Sequence, residues 1–185
     1  MLTIEDGSGV TGADSYVDLA FLDEYAMKYG KTDFVALTDP EKEVHARFAT
    51  DFIDSMEDRY SGYRTYARRT QTRAWPRTGV LTKRERYIAY DYNLGGFTGE
   101  VNRFAIPEEV KAAQAEAAIM RSEGIDLEAD PGTEGDVKRV RVDVIEEEYF
   151  EGTNRSTSVR RFSRIYNLLK PLFETTGSTV RIYRG

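Results

Sequence analysis

The chain has 185 residues, 40% of them hydrophobic and 31% charged, with a net charge of −6. That suits a single domain with a real core and a large solvated surface, and no run of 18 apolar residues offers a membrane span or predicts a membrane partner. With no cysteine there are no disulfides, thiolate metal sites or cysteine nucleophiles, and the start Met1–Asp6, neither basic nor apolar, predicts no signal peptide.

The predicted elements begin with a helix capped by Asp14 or Ser15 and running to about Tyr29, with Val17, Phe21 and Tyr25 at i, i+4 spacing and Gly30 as its stop. A second helix opens with Asp39 as cap and Pro40 at its first position, and ends near Tyr60 before Gly62. Its apolar face is Val44, Phe48, Phe52 and Met56, with Ala49 and Ile53 beside it. From Gly62 to Arg103 the helical period fails and breakers accumulate at Trp75-Pro76-Arg77, Gly79 and Gly95-Gly96, which predicts a long extended excursion. Helix returns at Ile106-Pro107-Glu108-Glu109, where Val110, Ala113, Ala117 and Met120 make a narrow, alanine-rich face for close helix approach.

After a loop at Asp130-Pro131-Gly132 and Gly135, Val140, Val142 and Val144 alternate with Arg139, Arg141 and Asp143 as a half-buried strand. Glu146-Glu147-Glu148-Tyr149-Phe150 prolongs it as an acidic edge. Val159, Phe162, Ile165, Tyr166 and Leu169 mark a last helix ended by Pro171. Beyond Gly177-Ser178, the tail Val180, Arg181, Ile182, Tyr183, Arg184 and Gly185 reads as a basic strand that must join a sheet of its own domain or an edge on another protein. The expected fold is mainly α (α+β): a bundle of about four helices with a small β-hairpin element, a long extended arm and a C-terminal strand. The parts are an N-terminal helical pair (1–61), the arm (62–104), the rest of the same core (105–176) and the docking strand (177–185).

Charge is blocked along the chain. There are 14 acids against 4 bases over residues 1–58, 2 against 9 over 59–92, 15 against 6 over 93–154, and 1 against 7 over 155–185. Such blocks either cover one another within one fold or meet between copies of the chain.

No catalytic constellation emerges, so a non-enzymatic protein without cofactor or metal is expected. His45 is the one histidine, and zinc lacks its usual ligands. Gly7-Ser8-Gly9 and Gly95-Gly96 precede no Lys-Ser/Thr at phosphate-loop spacing. The conspicuous segment is 59–92, where Arg59, Arg64, Arg68, Arg69, Arg73, Arg77, Lys83, Arg84 and Arg86 are interleaved with Tyr60, Tyr63, Tyr66, Trp75, Tyr87, Tyr90 and Tyr92. Basic grooves with stacking aromatics bind single strands, and the same residue types make protein-interface hot spots. No RNA-recognition or oligonucleotide-barrel strand pattern is present to display the bases, and acidic blocks flank the segment, which favours the protein interface.

Several strings in order resemble one family over nearly the whole chain: Ala13-Asp14-Ser15-Tyr16-Val17, Trp75-Pro76-Arg77, Ile106-Pro107-Glu108-Glu109-Val110-Lys111 continuing to Ala113-Gln114-Ala115-Glu116, Val137-Lys138-Arg139, and the closing Val180–Gly185. They look like tailed-phage proteins labelled DnaT-like single-stranded-DNA-binding, which in turn resemble head–tail adaptors. The resemblance implies a virion neck protein, made in the bacterial host cytoplasm, that forms a twelve-fold homo-oligomeric ring between the portal protein and a tail-side stopper or tail component. It implies docking through the tail strand, inter-subunit arm contacts by Tyr63, Arg68, Arg69, Trp75, Arg77, Tyr87 and Tyr90, and non-specific contact of Arg64, Arg73, Lys83 and Arg84 with channel DNA. The alternative is a replication accessory protein that binds single-stranded DNA through 59–92.

Overall fold

The computed structural model describes residues 1–67, 70–80, 90–91, 96–97, 102–128, 140–142, 145–147 and 162–174. Its helices are α1 (Leu19–Lys28), the single turn α2 (Thr32–Val35), α3 (Asp39–Asp54), α4 (Glu108–Ser122) and α5 (Ser163–Leu169). Short 3₁₀ turns follow α3 at Glu57–Arg59 and α5 at Lys170–Leu172. Among the described residues, three two-stranded antiparallel pairs accompany them: β1 (Tyr63–Arg64) with β2 (Arg77–Thr78), β3 (Tyr90–Asp91) with β4 (Gly96–Phe97), and β5 (Val140–Val142) with β6 (Ile145–Glu147). The protein is therefore mainly helical and α+β.

α4 is the central helix. It packs on α3, α5 and α1, and it buries Val110, Ala113, Gln114, Ala115, Ala117, Ala118 and Ile119. Burial on so many sides requires small residues, and alanine gives both helix propensity and close approach. The expected narrow stripe is thus a wide one. α3 answers with Ala46, Ala49, Thr50 and Ile53, while Val44 and Phe48 are exposed. The inward face is accordingly rotated from the bulky apolar row expected, because the neighbouring helix selects small side chains at the crossing.

Helix starts also differ from expectation. α1 begins after Asp18, whose carboxylate accepts from the Phe21 amide at 2.8 Å. Asp14 and Ser15 are engaged elsewhere: Ser15 Oγ donates to the Val17 carbonyl, and Asp14 lies beside Arg47. α3 is capped by Thr38 in a capping box with Glu41, which places Asp39 and Pro40 inside the first turn. The acidic stretch of β6 does not prolong the valine strand but turns back to pair with it, Val142 opposite Ile145 and Val140 opposite Glu147.

A buried glutamine ties three elements together. Gln114 of α4 accepts from the Tyr16 amide at 3.0 Å and donates to Ser15 Oγ at 2.6 Å and to the Ala46 carbonyl at 3.3 Å. At the other end, Ser61 donates its amide and hydroxyl to the Leu172 carbonyl, and the Glu174 amide donates to the Arg59 carbonyl at 2.7 Å. These bonds and the Tyr60–Phe173 bridge fasten the end of α5 to the exit of α3.

Candidate functional site

The described part of the basic segment, 62–67 and 70–80, lies on the body rather than projecting as an arm, because its interior side chains complete the core. Trp75 is 0% exposed, as are Ala74 and Val80. The Trp75 ring meets Tyr60 edge-on at 5.3 Å, and Tyr60 meets Phe173 at 5.5 Å. Gln71, fully buried, closes the loop: it accepts from the Tyr66 amide at 3.0 Å and donates to the Arg73 and Pro76 carbonyls at 2.9 and 3.0 Å.

Three arginines rivet this loop down. Arg64 pairs with both carboxylate oxygens of Glu57, at 2.7 and 2.6 Å, and reaches the Gln71 and Thr72 carbonyls. Arg73 pairs with Asp51 at 2.6 Å and Asp54 at 3.5 Å, and donates to the Ala13 and Asp14 carbonyls. Arg77 is buried and donates to the carbonyls of Ser61, Gly62 and Ala74, with Glu57 at 3.4 Å. Acids at the end of the 1–58 block thus neutralise the front of the 59–92 block within one chain, so here the charge blocks cover each other.

Burial sets the electrostatics of this seam. It lifts the Asp54 carboxyl to about 6 against the pull of Tyr16, which donates its hydroxyl to Asp54, and of Arg73. The same desolvation, with the Asp54 charge alongside, holds the Tyr16 and Tyr60 hydroxyls well above the usual phenol range. For Arg73, burial lowers the guanidinium pKa but Asp51 and Asp54 outweigh it, and the balance is upward. For Arg77 burial prevails over Glu57, and its pKa is lowered.

What the loop offers to solvent is aromatic. Tyr63 is 67% exposed and Phe104 is 52% exposed. Tyr66, half-buried, lies between the two loops, its ring 6.4 Å from that of Phe104. Arg103 covers the Phe104 ring at 4.8 Å. Thr65 Oγ1 donates to the Arg103 carbonyl at 2.8 Å, which fixes the 102–105 turn beside β1. Tyr63 and Tyr66 also border an open cleft of about 500 Å³ shared with Arg64, Arg77 and Glu174. Exposed rings with an adjacent guanidinium make a surface on which planar groups can stack.

The residues expected to act therefore separate. Tyr63 reaches this surface. Trp75 and Arg77 belong to the interior and cannot make inter-subunit contacts from there. Arg64 and Arg73 are committed to carboxylates and are not free cations for a phosphate. Tyr90 is placed by its backbone in β3 opposite Phe97. Arg68, Arg69, Lys83, Arg84 and Tyr87, together with Val180, Arg181, Ile182, Tyr183, Arg184 and Gly185, lie outside the described residues. Arg103 and Phe104 were missed in the sequence because they sit outside the basic segment; the adjacent Arg-Phe pair before Ile106-Pro107 was the available signal. Among the described residues, no group of His, Asp and Glu could hold a metal ion, and no helix is long and apolar enough to cross a membrane.

The family whose description reads "Putative DnaT-like ssDNA binding protein" has a model that matches residues 1–185. No curated protein and no solved structure matches the chain. The match overturns the head–tail adaptor expectation: the label concerns single-stranded DNA, and the portal, tail-side and ring partners, with the virion role built on them, have no support. Contact with DNA is compatible with it.

Proposed function

Since this chain belongs over its whole length to the DnaT-like single-stranded-DNA-binding family, we propose that it binds single-stranded DNA, with no chemistry and no cofactor, through the surface of Tyr63, Tyr66, Arg103 and Phe104. The observation that supports this most is the meeting of the Tyr66 ring with the exposed, Arg103-covered Phe104 ring, from loops some 40 residues apart in sequence, with exposed Tyr63 on the cleft that Tyr66 also borders. Bases stack on such rings without regard to sequence, because every base has a π-face. Phosphates need cations not already spent on the fold. Arg59 is exposed and rests on the Tyr166 ring at 5.5 Å, and Arg68, Arg69, Lys83, Arg84 and Arg86 are the remaining bases of the segment.

The test is fluorescence anisotropy of a labelled oligothymidine over a salt series. Affinity should fall steeply with salt, with a log–log slope of about −0.7 for each phosphate neutralised on a single strand. Phe104→Ala or Tyr63→Ala should each cost about 1–3 kcal/mol of binding at unchanged thermal stability. Joint replacement of Arg68 and Arg69 by alanine should make the slope shallower. Absence of binding by the wild-type chain at low salt would sink the proposal.

A further inference from the structure

Beneath the aromatic surface lies a buried carboxylate that neither the core nor the arginine seam uses. Glu5 is 0% exposed. Its Oε1 accepts from the Gly7 and Gly9 amides at 3.0 and 2.9 Å, and its Oε2 accepts from the Val10 amide at 2.8 Å. The Glu5 amide itself donates to the Ser15 carbonyl at 2.8 Å, which fixes the residue to the Ile4–Ser15 bridge. Three amide N–H groups converging on one carboxylate impose the course of residues 5–10.

That course is the bed of the aromatic surface. Gly7 has φ +105°, its carbonyl accepts from the Tyr66 hydroxyl at 3.3 Å, and a Cβ there would lie 2.2 Å from the Phe104 carbonyl oxygen. Gly9 has φ +78°, and a Cβ there would lie 2.5 Å from Cδ2 of the Tyr66 ring. The seam continues where Thr11 Oγ1 donates to the Thr70 carbonyl at 2.9 Å and the Gly12 amide donates to Thr72 Oγ1 at 2.7 Å. One loop therefore abuts both Tyr66 and the backbone of Phe104. Three of its amides, those of Gly7, Gly9 and Val10, are gathered by one side chain, which is fully buried.

We propose that Glu5 is a positioning residue for single-strand binding: through its three amide bonds it moulds the Gly7–Val10 loop against which Tyr66 and Phe104 are seated. The proposal rests on the single-stranded-DNA reading above. Glu5→Gln replaces one acceptor oxygen with an NH₂ group facing an amide donor, so the mould loosens while side-chain volume is kept. Affinity for oligothymidine should fall about tenfold, the scale of one misplaced stack. The salt slope should not change, since no phosphate contact is touched. In a double-mutant cycle, Glu5→Gln should add little to Phe104→Ala, because both act on the same stack.

Gly9→Ala serves as the second variant: it presses on Tyr66 from the loop side with the carboxylate intact, and should give the same signature. If the wild-type chain binds and both variants bind as it does, the inference is overturned while the binding function stands. A loss in Glu5→Gln that is fully additive with Phe104→Ala, and that tracks lowered thermal stability, also overturns it, since Glu5 would then serve the fold alone. A wild-type chain that fails to bind at low salt refutes the binding function itself and the inference with it.

Discussion

Trp75 is the residue at which a stacking role and a packing role make opposite predictions. The side chain is fully buried, edge-on to Tyr60, and its amide donates to the Tyr16 hydroxyl at 3.2 Å. Trp75→Ala removes roughly 150 Å² of buried apolar surface, worth about 4 kcal/mol at ~25 cal/mol per Å². This lies within the ~3–5 kcal/mol measured for large-to-alanine changes in cores. For a chain of this length, each kcal/mol shifts the midpoint by about 2–4 °C, so the melting temperature should drop by about 8–16 °C. Far-UV circular dichroism with urea or heat is the right assay, because the variant lacks the chain's one tryptophan. In the wild type, that tryptophan should emit at short wavelength, resist acrylamide quenching and ignore added oligonucleotide. A variant with an unchanged midpoint but abolished DNA binding, or a wild-type emission quenched by single strands, would refute the packing account.

Two further outcomes follow from the seam beneath the loop. Arg77→Met leaves the carbonyls of Ser61, Gly62 and Ala74 without their donor. It should cost about 3 kcal/mol in urea unfolding and leave the salt slope of DNA binding unaltered; a shallower slope at full stability would show Arg77 meeting phosphate instead. Asp54 carries a pH dependence of definite sign. Its carboxyl titrates at about 6 when folded, against about 3.9 when unfolded. The native state therefore holds the proton more tightly, and the contribution is full below pH 4 and lost as pH rises through 6. Over that window it amounts to as much as about 3 kcal/mol. Asp54→Asn stays neutral throughout, so the wild type should lose that much stability relative to it between pH 4 and pH 7. Urea midpoints across the range test this; a difference between the two proteins that does not vary with pH would be the contrary result.

Local elements were legible in the sequence wherever a short-range cause acts. Gly30 takes positive φ, at +69°, just past the end of α1, and Val110, Ala113 and Ala117 lie on the buried side of α4 as their spacing suggests; α3, by contrast, ends at Asp54, short of the stop expected before Gly62. Errors came where two elements had to agree. In α3 Val44 and Phe48 of the expected row are exposed, while Ala49 and Ile53, expected beside it, are buried together with Ala46, which was not expected. Periodicity finds a stripe, but the depth available beside α4 chooses which stripe fits. Arg64, Arg73 and Arg77 looked like free cations because a sequence displays charge and not its partner; Glu57, Asp51 and Asp54 lie 7 to 22 positions away. Phe104 was invisible as a partner of Tyr66 for the same reason.

By itself, then, the sequence determined the mainly helical class, the stop of α1 at Gly30, the absence of thiol chemistry and the concentration of bases and aromatics in one segment, all properties of composition or of neighbours within a few residues. Only the tertiary structure decided which members of that segment hold the loop and which face solvent. That division depends on desolvation and ion pairing across distant segments, and those energies exist only once α3, the 62–80 loop and the 102–105 turn have come together.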